Sequence, residues 1–468
     1  CDELGILVWQ EFIMSSSGID NNPSTEPEFI AMMVNEAEQI IPRRRNHPSL
    51  AIWCGGNELT AGEEQPLDDR HPLLAALRDT VVRLDPDRLW LPTSPTGRLF
   101  SNSLENIESD PTGLHDVHGP WEYQGVTGQY ELYNKGTSLL HSEFGVEGIT
   151  NLRTLDTVIA PDNQIPVTLE NPIWEHLGAW WVKTTMWRET FGDISDIESL
   201  IRATQLTQAD GLRYALEADR RRKYQNSGTL PWQFNEPYPM AACTSSVDYY
   251  GQPKPVYYEV ARAYEPVHVS ARFATSAWAS RDTFTAQVWA SSSLPHTIDD
   301  VTLTVRVLDV RGRDCHESTE VITMNPDSAA TIATVDVPLA SITTDVFFLD
   351  LTLTHTDGRL LSYNRYSFTQ SDNLAPLLSV PATQLDVDLR RADQADTLTI
   401  TNTGDHTALF VWLEDARATG TAGFVYFDDN YLCLMPQEMR TISARWSGVS
   451  HAERRITARG WNTDTWQG

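Results

Sequence analysis

Two carboxylates stand where chemistry could be built. Glu58 follows Ile52-Trp53-Cys54-Gly55-Gly56-Asn57, just beyond a short apolar, strand-like run. Glu143 lies in Leu139-Leu140-His141-Ser142-Glu143-Phe144-Gly145, at the C-terminal end of another. Acids at two such strand ends are what glycosidic hydrolysis uses: one carboxyl protonates the leaving oxygen, while the other attacks the anomeric carbon or activates water. With 64 Asp and Glu in the chain, most strand-end acids are simply solvated or paired. Position, not residue type, singles out these two. His118 and Trp121, in Asp116-Val117-His118-Gly119-Pro120-Trp121, could reach hydroxyls or a sugar face; a satisfied strand-end histidine is the plainer alternative.

The elements that must position them alternate between strand and helix. Gly5–Phe12, Ala51–Cys54, Leu89–Pro92, Asp116–His118, Ser138–Ser142 and Leu230–Phe234 read as strands. A helix is expected from Thr25, where Thr25 and Glu28 match a capping box and Pro27 suits the first turn. Pro42 should bend or end it. Leu73, Leu74, Leu77, Val81 and Leu84 share one face of a second helix, stopped at Asp85-Pro86. A long helix runs from about Ile197 to Tyr224. Such alternation reads as βα units around a parallel sheet. No glycine-rich phosphate turn follows any strand, which favours a barrel over a nucleotide-binding sheet. Barrel active sites sit at the C-terminal strand ends, where Glu58 and Glu143 fall on the second and fifth strands of this chain.

After about residue 262 the texture changes. Thr283–Trp289, Val301–Leu308, Val346–Leu353, Thr397–Ile400 and Ala408–Leu413 are rich in Val, Thr, Leu and aromatics, separated by turn residues. This is all-β sandwich patterning, and about 200 residues suit two sandwiches. The expected division is a barrel domain at 1–262, a β-sandwich at 263–372 and a C-terminal immunoglobulin-like sandwich at 373–468.

Several segments, taken in order, resemble the catalytic half of glycoside hydrolase family 2, nearest its β-mannosidase-like members. They are Cys1–Phe12, Asn46–Glu58, Ser142-Glu143-Phe144-Gly145, Pro231-Trp232-Gln233-Phe234-Asn235-Glu236 and Asp248–Pro255. The similarity continues at Thr401-Asn402-Thr403-Gly404-Asp405 and Phe427-Asp428-Asp429-Asn430-Tyr431. The resemblance implies a retaining exo-β-glycosidase that needs no metal or cofactor, with Glu58 as acid/base and Glu143 as nucleophile. It further implies that Asn57 bonds the sugar 2-hydroxyl and that Trp232 floors the subsite for the terminal sugar. Trp9, Gln10 and Asn235 would stand on the same rim. Trp180-Trp181 and Trp187 could form an outer subsite, although burial under their own loop is the expectation. Two departures are visible: Gly56 stands where several such members carry Asn, and Val146-Glu147-Gly148 where β-mannosidases tend to carry Gln-Ser. They leave the terminal sugar open.

Mapped on the family, the six strand candidates are barrel strands 3–8. The expected fold is therefore a partial (β/α)8 TIM barrel followed by two all-β immunoglobulin-like sandwiches. A barrel short of a quarter of its wall has open edges. The chain is accordingly expected to be part of a longer enzyme, with an N-terminal segment or a second chain completing the barrel. A non-catalytic carbohydrate-binding or assembly protein on a hydrolase-derived fold is the alternative, as is another sugar specificity within the family.

The 468-residue composition narrows the partners. Lys and Arg number 35 against 64 acids, a net charge of −29, which excludes the cationic fields that phosphate neutralisation and anionic membranes require. No apolar run approaches the roughly 18 residues of a spanning helix. Five scattered cysteines make neither a disulfide framework nor a zinc ribbon. The absence of a disulfide framework is compatible with the cytoplasm, the favoured compartment, while the N-terminus that would carry a signal peptide is absent.

Overall fold

The computed structural model describes residues 1–15, 21–62 and 65–468. Eight short strands punctuate its first part: β1 (Val8–Glu11), β2 (Leu50–Cys54), β3 (Leu89–Leu91), β4 (Asp116–His118), β5 (Leu140–Phe144), β6 (Gly148–Ile149), β7 (Thr229–Pro231) and β8 (Ala242–Cys243). Six of them form two parallel runs, β1-β2-β3 and β4-β5-β7. The residues after β3 continue the wall: Asp116 N–H donates to Thr96 O at 3.1 Å and His118 N–H to Phe100 O at 2.9 Å. β1 and β7 are the ends of these runs, and among the described residues each pairs on one side only. This is the partial TIM barrel expected. β6 and β8 pair with each other, antiparallel.

The chain divides into two compact units. The first comprises Cys1–Pro120, Lys135–Phe144 and Tyr224–Pro231, and so contains all six barrel strands. Its core explains the local choices. Leu50-Ala51-Ile52-Trp53-Cys54 is apolar throughout because a parallel strand is covered on both faces. Helix Pro27–Arg44 brings Met33, Ala37 and Ile41 onto one buried face, and helix Pro72–Leu84 does the same with Leu73, Leu77 and Val81. Phe12 stacks on Trp53 at 5.6 Å. The Trp53 indole N–H donates to Asp85 at 2.9 Å, and Arg88 pairs with that carboxylate while donating to the carbonyls of Leu50, Arg45 and His47.

Three local expectations are corrected. The first helix is capped by Glu26, without any side-chain cap bond, and no Thr25–Glu28 box forms. Pro27 forces the residue before it into extended backbone, which moves the start of the helix onto Glu26. Pro42 does not stop the helix at once; it lies within the last turn, and the helix closes two residues later, at Arg44. β5 lies two residues further on than Ser138–Ser142, because its register is set by Asp116↔Leu140 on one side and Phe144↔Pro231 on the other. Glu143 is therefore inside the strand.

The second unit comprises Trp121–Asn134, Gly145–Lys223 and Trp232–Gly468. Its helix Ile197–Arg221 is buried along most of its length. Between Val267 and Thr369, seven antiparallel strands form one three-stranded and one four-stranded sheet; between Leu385 and Gln467, eight strands form two four-stranded sheets. Strand Asp396–Asn402 alternates buried and half-buried residues without a break, the period-two pattern of a sheet with one face on the core. These are the two immunoglobulin-like sandwiches. All five cysteines are free, and no described helix is long and apolar enough to cross a membrane.

Candidate active site

The strand ends of the first unit converge on His118. Glu58 is held there by an extension of the β2–β3 ladder past the strands themselves. Gly55 N–H donates to Leu91 O, Ser94 N–H to Gly56 O at 3.1 Å and Glu58 N–H to Ser94 O at 2.6 Å. Two glycines make this approach possible. A Cβ on Gly55 would stand 2.2 Å from Pro92 O, and one on Gly56 would stand 2.7 Å from Met14 O. The departure at Gly56 thus has a local cause, since Met14 backbone occupies the side-chain position. Glu58 itself adopts φ 54°, the left-handed region that non-glycine residues rarely enter. Asn57 donates its backbone N–H to Met14 O at 2.9 Å and forms a parallel bridge with Ser94.

Glu143 comes from the β5 side. A shift in register between Val117 and His118 sets His118 opposite Glu143, and Gly119 N–H donates to Glu143 O at 2.7 Å. His118 Nδ1 lies 3.1 Å from Glu58 Oε1 and 3.8 Å from Glu143 Oε2. The two glutamates are partly open while the imidazole is 1% exposed. One ligating atom from each of Glu58, His118 and Glu143 falls within 4.8 Å of the other two, a spacing that could also hold a cation.

Behind His118 lies a second, buried layer. Ser94 Oγ is 2.9 Å from His118 Nε2, 3.1 Å from Asp116 Oδ2 and 2.9 Å from Ser142 Oγ. A hydroxyl has one proton and two lone pairs, so one neighbour accepts from Ser94 and the others donate to it. Burial pushes the Asp116 carboxyl above its ordinary range, opposed by the hydroxyls of Ser142 and Ser94 and the charge of His118. Glu11, the last residue of β1, is likewise raised by burial, with the charge of His118 opposing and those of Asp116 and Glu58 adding. Glu11, Ser94, Asp116 and Ser142 were not singled out from the sequence. Glu11 did carry a signal, being an acid at the end of a strand as Glu58 and Glu143 are.

The other expected residues separate. Trp9 is half-buried within β1. Gln10 accepts from Arg44 at its amide oxygen and donates its amide N–H to the Glu11 carbonyl. Trp121, Trp232 and Asn235 fall in the second unit. There, half-buried Trp232 packs on Trp181 with ring centres 5.8 Å apart and planes at 37°. Asn235 is exposed and bridges Val247 through its backbone, and Trp121 is half-buried. Trp180 is 81% exposed, contrary to the burial expected of it. Trp187 is buried as expected, its indole N–H donating to Glu147 at 2.9 Å. The motif acid Glu236 is a brace; its buried carboxylate accepts from the Ser245 hydroxyl at 2.5 Å and from the backbone N–H groups of Met240 and Tyr249.

Comparison with known proteins places this geometry in a family context. The family model described as glycosyl hydrolases family 2, TIM barrel domain, matches residues 1–89. The mannosidase Ig/CBM-like domain matches 285–371, and the exo-β-D-glucosaminidase Ig-fold domain matches 363–463. Beta-mannosidase B of Aspergillus niger is 30% identical over 326 residues, covering 63% of this chain and 37% of the relative. Among solved structures, the β-D-mannosidase of Dictyoglomus thermophilum superposes with a TM-score of 0.77 at 21% identity, over 99% of this chain and 54% of that one. The exo-chitosanase of Amycolatopsis orientalis gives a TM-score of 0.74 at 17% identity, over 96% and 55%. The last two show likeness of fold. The chain spans little more than half the length of these structures and less than half that of the fungal relative.

Proposed function

We propose that the chain is a β-mannosidase-like member of glycoside hydrolase family 2, a reading supported by the matches to its barrel and Ig-type domain models and by the fungal relative, and that it carries the catalytic carboxylates of a retaining exo-β-glycosidase acting on terminal β-mannosides. The observation that supports this most is the closeness of the carboxylates, one oxygen of Glu58 within 4.8 Å of one of Glu143. Retaining enzymes hold the pair roughly 5 Å apart, so that one attacks directly; inverting enzymes leave roughly 6.5 Å or more for a water.

In this reading Glu143 attacks the anomeric carbon as Glu58 gives its proton to the departing glycosidic oxygen. A covalent glycosyl-enzyme forms, and Glu58 then takes a proton from the water that cleaves it. His118 positions both carboxyls. Asn57 bonds the 2-hydroxyl, and Trp9 lines the sugar. No Lewis acid is called for.

The barrel is completed by a further segment or chain that pairs with the free sides of β1 and β7. Two exposed apolar residues, Leu7 beside β1 at 75% and Leu230 within β7 at 41%, support such cover.

A second sugar has a specific observation in its favour: the glucosaminidase-type match over residues 363–463 supports β-glucosaminides. The test is turnover of 4-nitrophenyl β-mannoside, β-glucosaminide and β-glucoside by the chain, alone and joined to a segment supplying two further βα units. The Glu143→Ala variant should be inactive, and azide should rescue it to an α-glycosyl azide by entering the face Glu143 vacates. Turnover that survives in Glu143→Ala without azide removes the nucleophile assignment. Inactivity of the completed barrel on all three substrates favours a non-catalytic binding role.

A further inference from the structure

Within the second unit a cavity of about 660 Å³ opens between helices Ile197–Arg221 and Pro255–Ala263 and the outward faces of strands from both sandwiches. That size is ordinary for small-molecule sites, which run to roughly 300–1,000 Å³. None of the catalytic candidates lines it. Strand Ala408–Asp415 shows how it arises. Val411 and Leu413 point into the last sandwich's core, while Phe410, Trp412 and Glu414 alternate onto the other face and line the cavity.

The chemistry of the lining selects a ligand class. Trp412 has the guanidinium carbons of Arg459 and Arg202 at 4.6 and 5.6 Å from its ring centre, and Tyr431 parallel to it at 6.2 Å. Glu414 and Asp429 line the same space, and burial pushes both carboxyls upward against the nearby arginines, a sign that they lack full solvation. Arg213 and Arg365 also line it, with side chains only 5% and 8% exposed. The Nε–H of each has no hydrogen-bond partner among the described residues. Unused buried donors and partly desolvated acceptors lining one cavity, the acids ion-paired among the described residues only with Arg153 and Arg262, want a group that both accepts and donates. A charged ligand has no surplus charge to meet, because the seven arginines that line the cavity are matched by seven acids, among them Asp210 and Glu259, which pair with Arg213.

We propose that this cavity is a second carbohydrate site, taking one or two neutral sugar units. Their hydroxyls bridge the carboxylates of Glu414 and Asp429 to the arginine donors, and their C–H faces pack on the aromatic wall around Trp412. The site does not rest on the hydrolase reading, since it involves no bond cleavage and no catalytic residue.

Calorimetric titration of the chain carrying Glu143→Gln, so that no sugar is consumed, tests it with mannose, β-1,4-mannobiose and cellobiose. At least one sugar should bind saturably. Glu414→Gln should weaken that binding about tenfold, the scale of one hydrogen bond to a charged group, at unchanged melting temperature. Trp412→Ala should weaken it as well; if that variant melts lower, a structure soaked with the same sugar replaces it as the second reading. Absence of saturable binding, affinity unmoved by Glu414→Gln, or sugar density elsewhere overturns the proposal. Turnover by the unsubstituted enzyme is unaffected by any of these failures, so the two readings fail separately.

Discussion

His118 Nδ1 stands 3.1 Å from Glu58 Oε1, with the imidazole buried and pinned from behind by the Ser94 hydroxyl at 2.9 Å. A ring so fixed limits where the Glu58 carboxyl can go, and it reaches toward Glu143 as well, at 3.8 Å. A proton donor displaced by an ångström loses much of its effect.

His118→Asn should therefore lower kcat on an aryl β-mannoside roughly 100-fold, within the range of a general acid–base contribution, and leave KM nearly unchanged. The pH profile of kcat/KM should also move, as a merely structural loss would not make it do. Steady-state kinetics from pH 4 to 9 decide the point. A fall in activity with an unmoved profile would mean that the histidine only supports the fold.

How much of this was legible in the sequence depends on where each signal originates. Leu50–Cys54 could be read as a strand because its whole meaning is local: an apolar run covered on two faces. Glu58 and Glu143 could be found because each ends such a run. Ser94 could not, since its role comes from Asp116, His118 and Ser142, brought beside it by the pairing of neighbouring strands. Glu11 ends a strand too, but its burial is set by neighbours from other strands. The Thr25–Glu28 pattern was present and lost to Pro27, a stronger local constraint. Trp180 is exposed although its residue type predicts burial, because the short helices around it bury Trp174 and Trp187 instead.

The grouping of Glu58, His118 and Glu143 makes a prediction about metals. Zinc binds imidazole nitrogen and carboxylate oxygen at roughly 2.0–2.2 Å, and the three atoms within 4.8 Å need only close slightly to reach it. Zinc should inhibit turnover in competition with substrate, and EDTA should reverse it. EDTA alone should leave the rate unchanged, because neither carboxylate role needs a Lewis acid. His118→Asn should weaken zinc inhibition by an order of magnitude or more. Loss of activity in EDTA would show that a cation belongs to the mechanism.

Gly55 offers a test of how Glu58 is held. A Cβ there would meet Pro92 O at 2.2 Å and Leu74 Cδ2 at 2.7 Å, and a backbone carbonyl in a ladder cannot step aside. Gly55→Ala should cost about 1–3 kcal/mol or more of stability, as overpacked cores do, and should lower activity by displacing Glu58. Gly62→Ala is the control. Its φ of +73° brings strain alone, with nothing among the described residues within 4 Å of the added carbon, so it should cost about 1–2 kcal/mol. Denaturant melts of both variants compare the two costs, and equal losses would remove close approach as the reason for Gly55.

Glu147 sets a pH dependence of the fold itself. Its carboxyl is fully buried and accepts from the Trp187 indole at 2.9 Å and the Tyr123 backbone at 3.1 Å, yet burial outweighs these bonds and pushes it up to about 7. In the unfolded chain a glutamate titrates near 4.3. Between about pH 4.3 and 7 the unfolded chain has lost this proton while the folded chain keeps it, so stability must fall as pH rises. The contribution is complete below the unfolded value and gone above the folded one, a change on the order of 3 kcal/mol. Glu147→Gln cannot titrate. It keeps one acceptor oxygen for two N–H donors, and so should be weaker than the parent by about 1–3 kcal/mol at pH 4.5. As pH rises to 8 that deficit should shrink by on the order of 3 kcal/mol, vanishing or reversing. Urea melts of the two proteins at matched pH values measure the difference directly; a constant gap across the range would mean that Glu147 is ionised in the folded protein throughout.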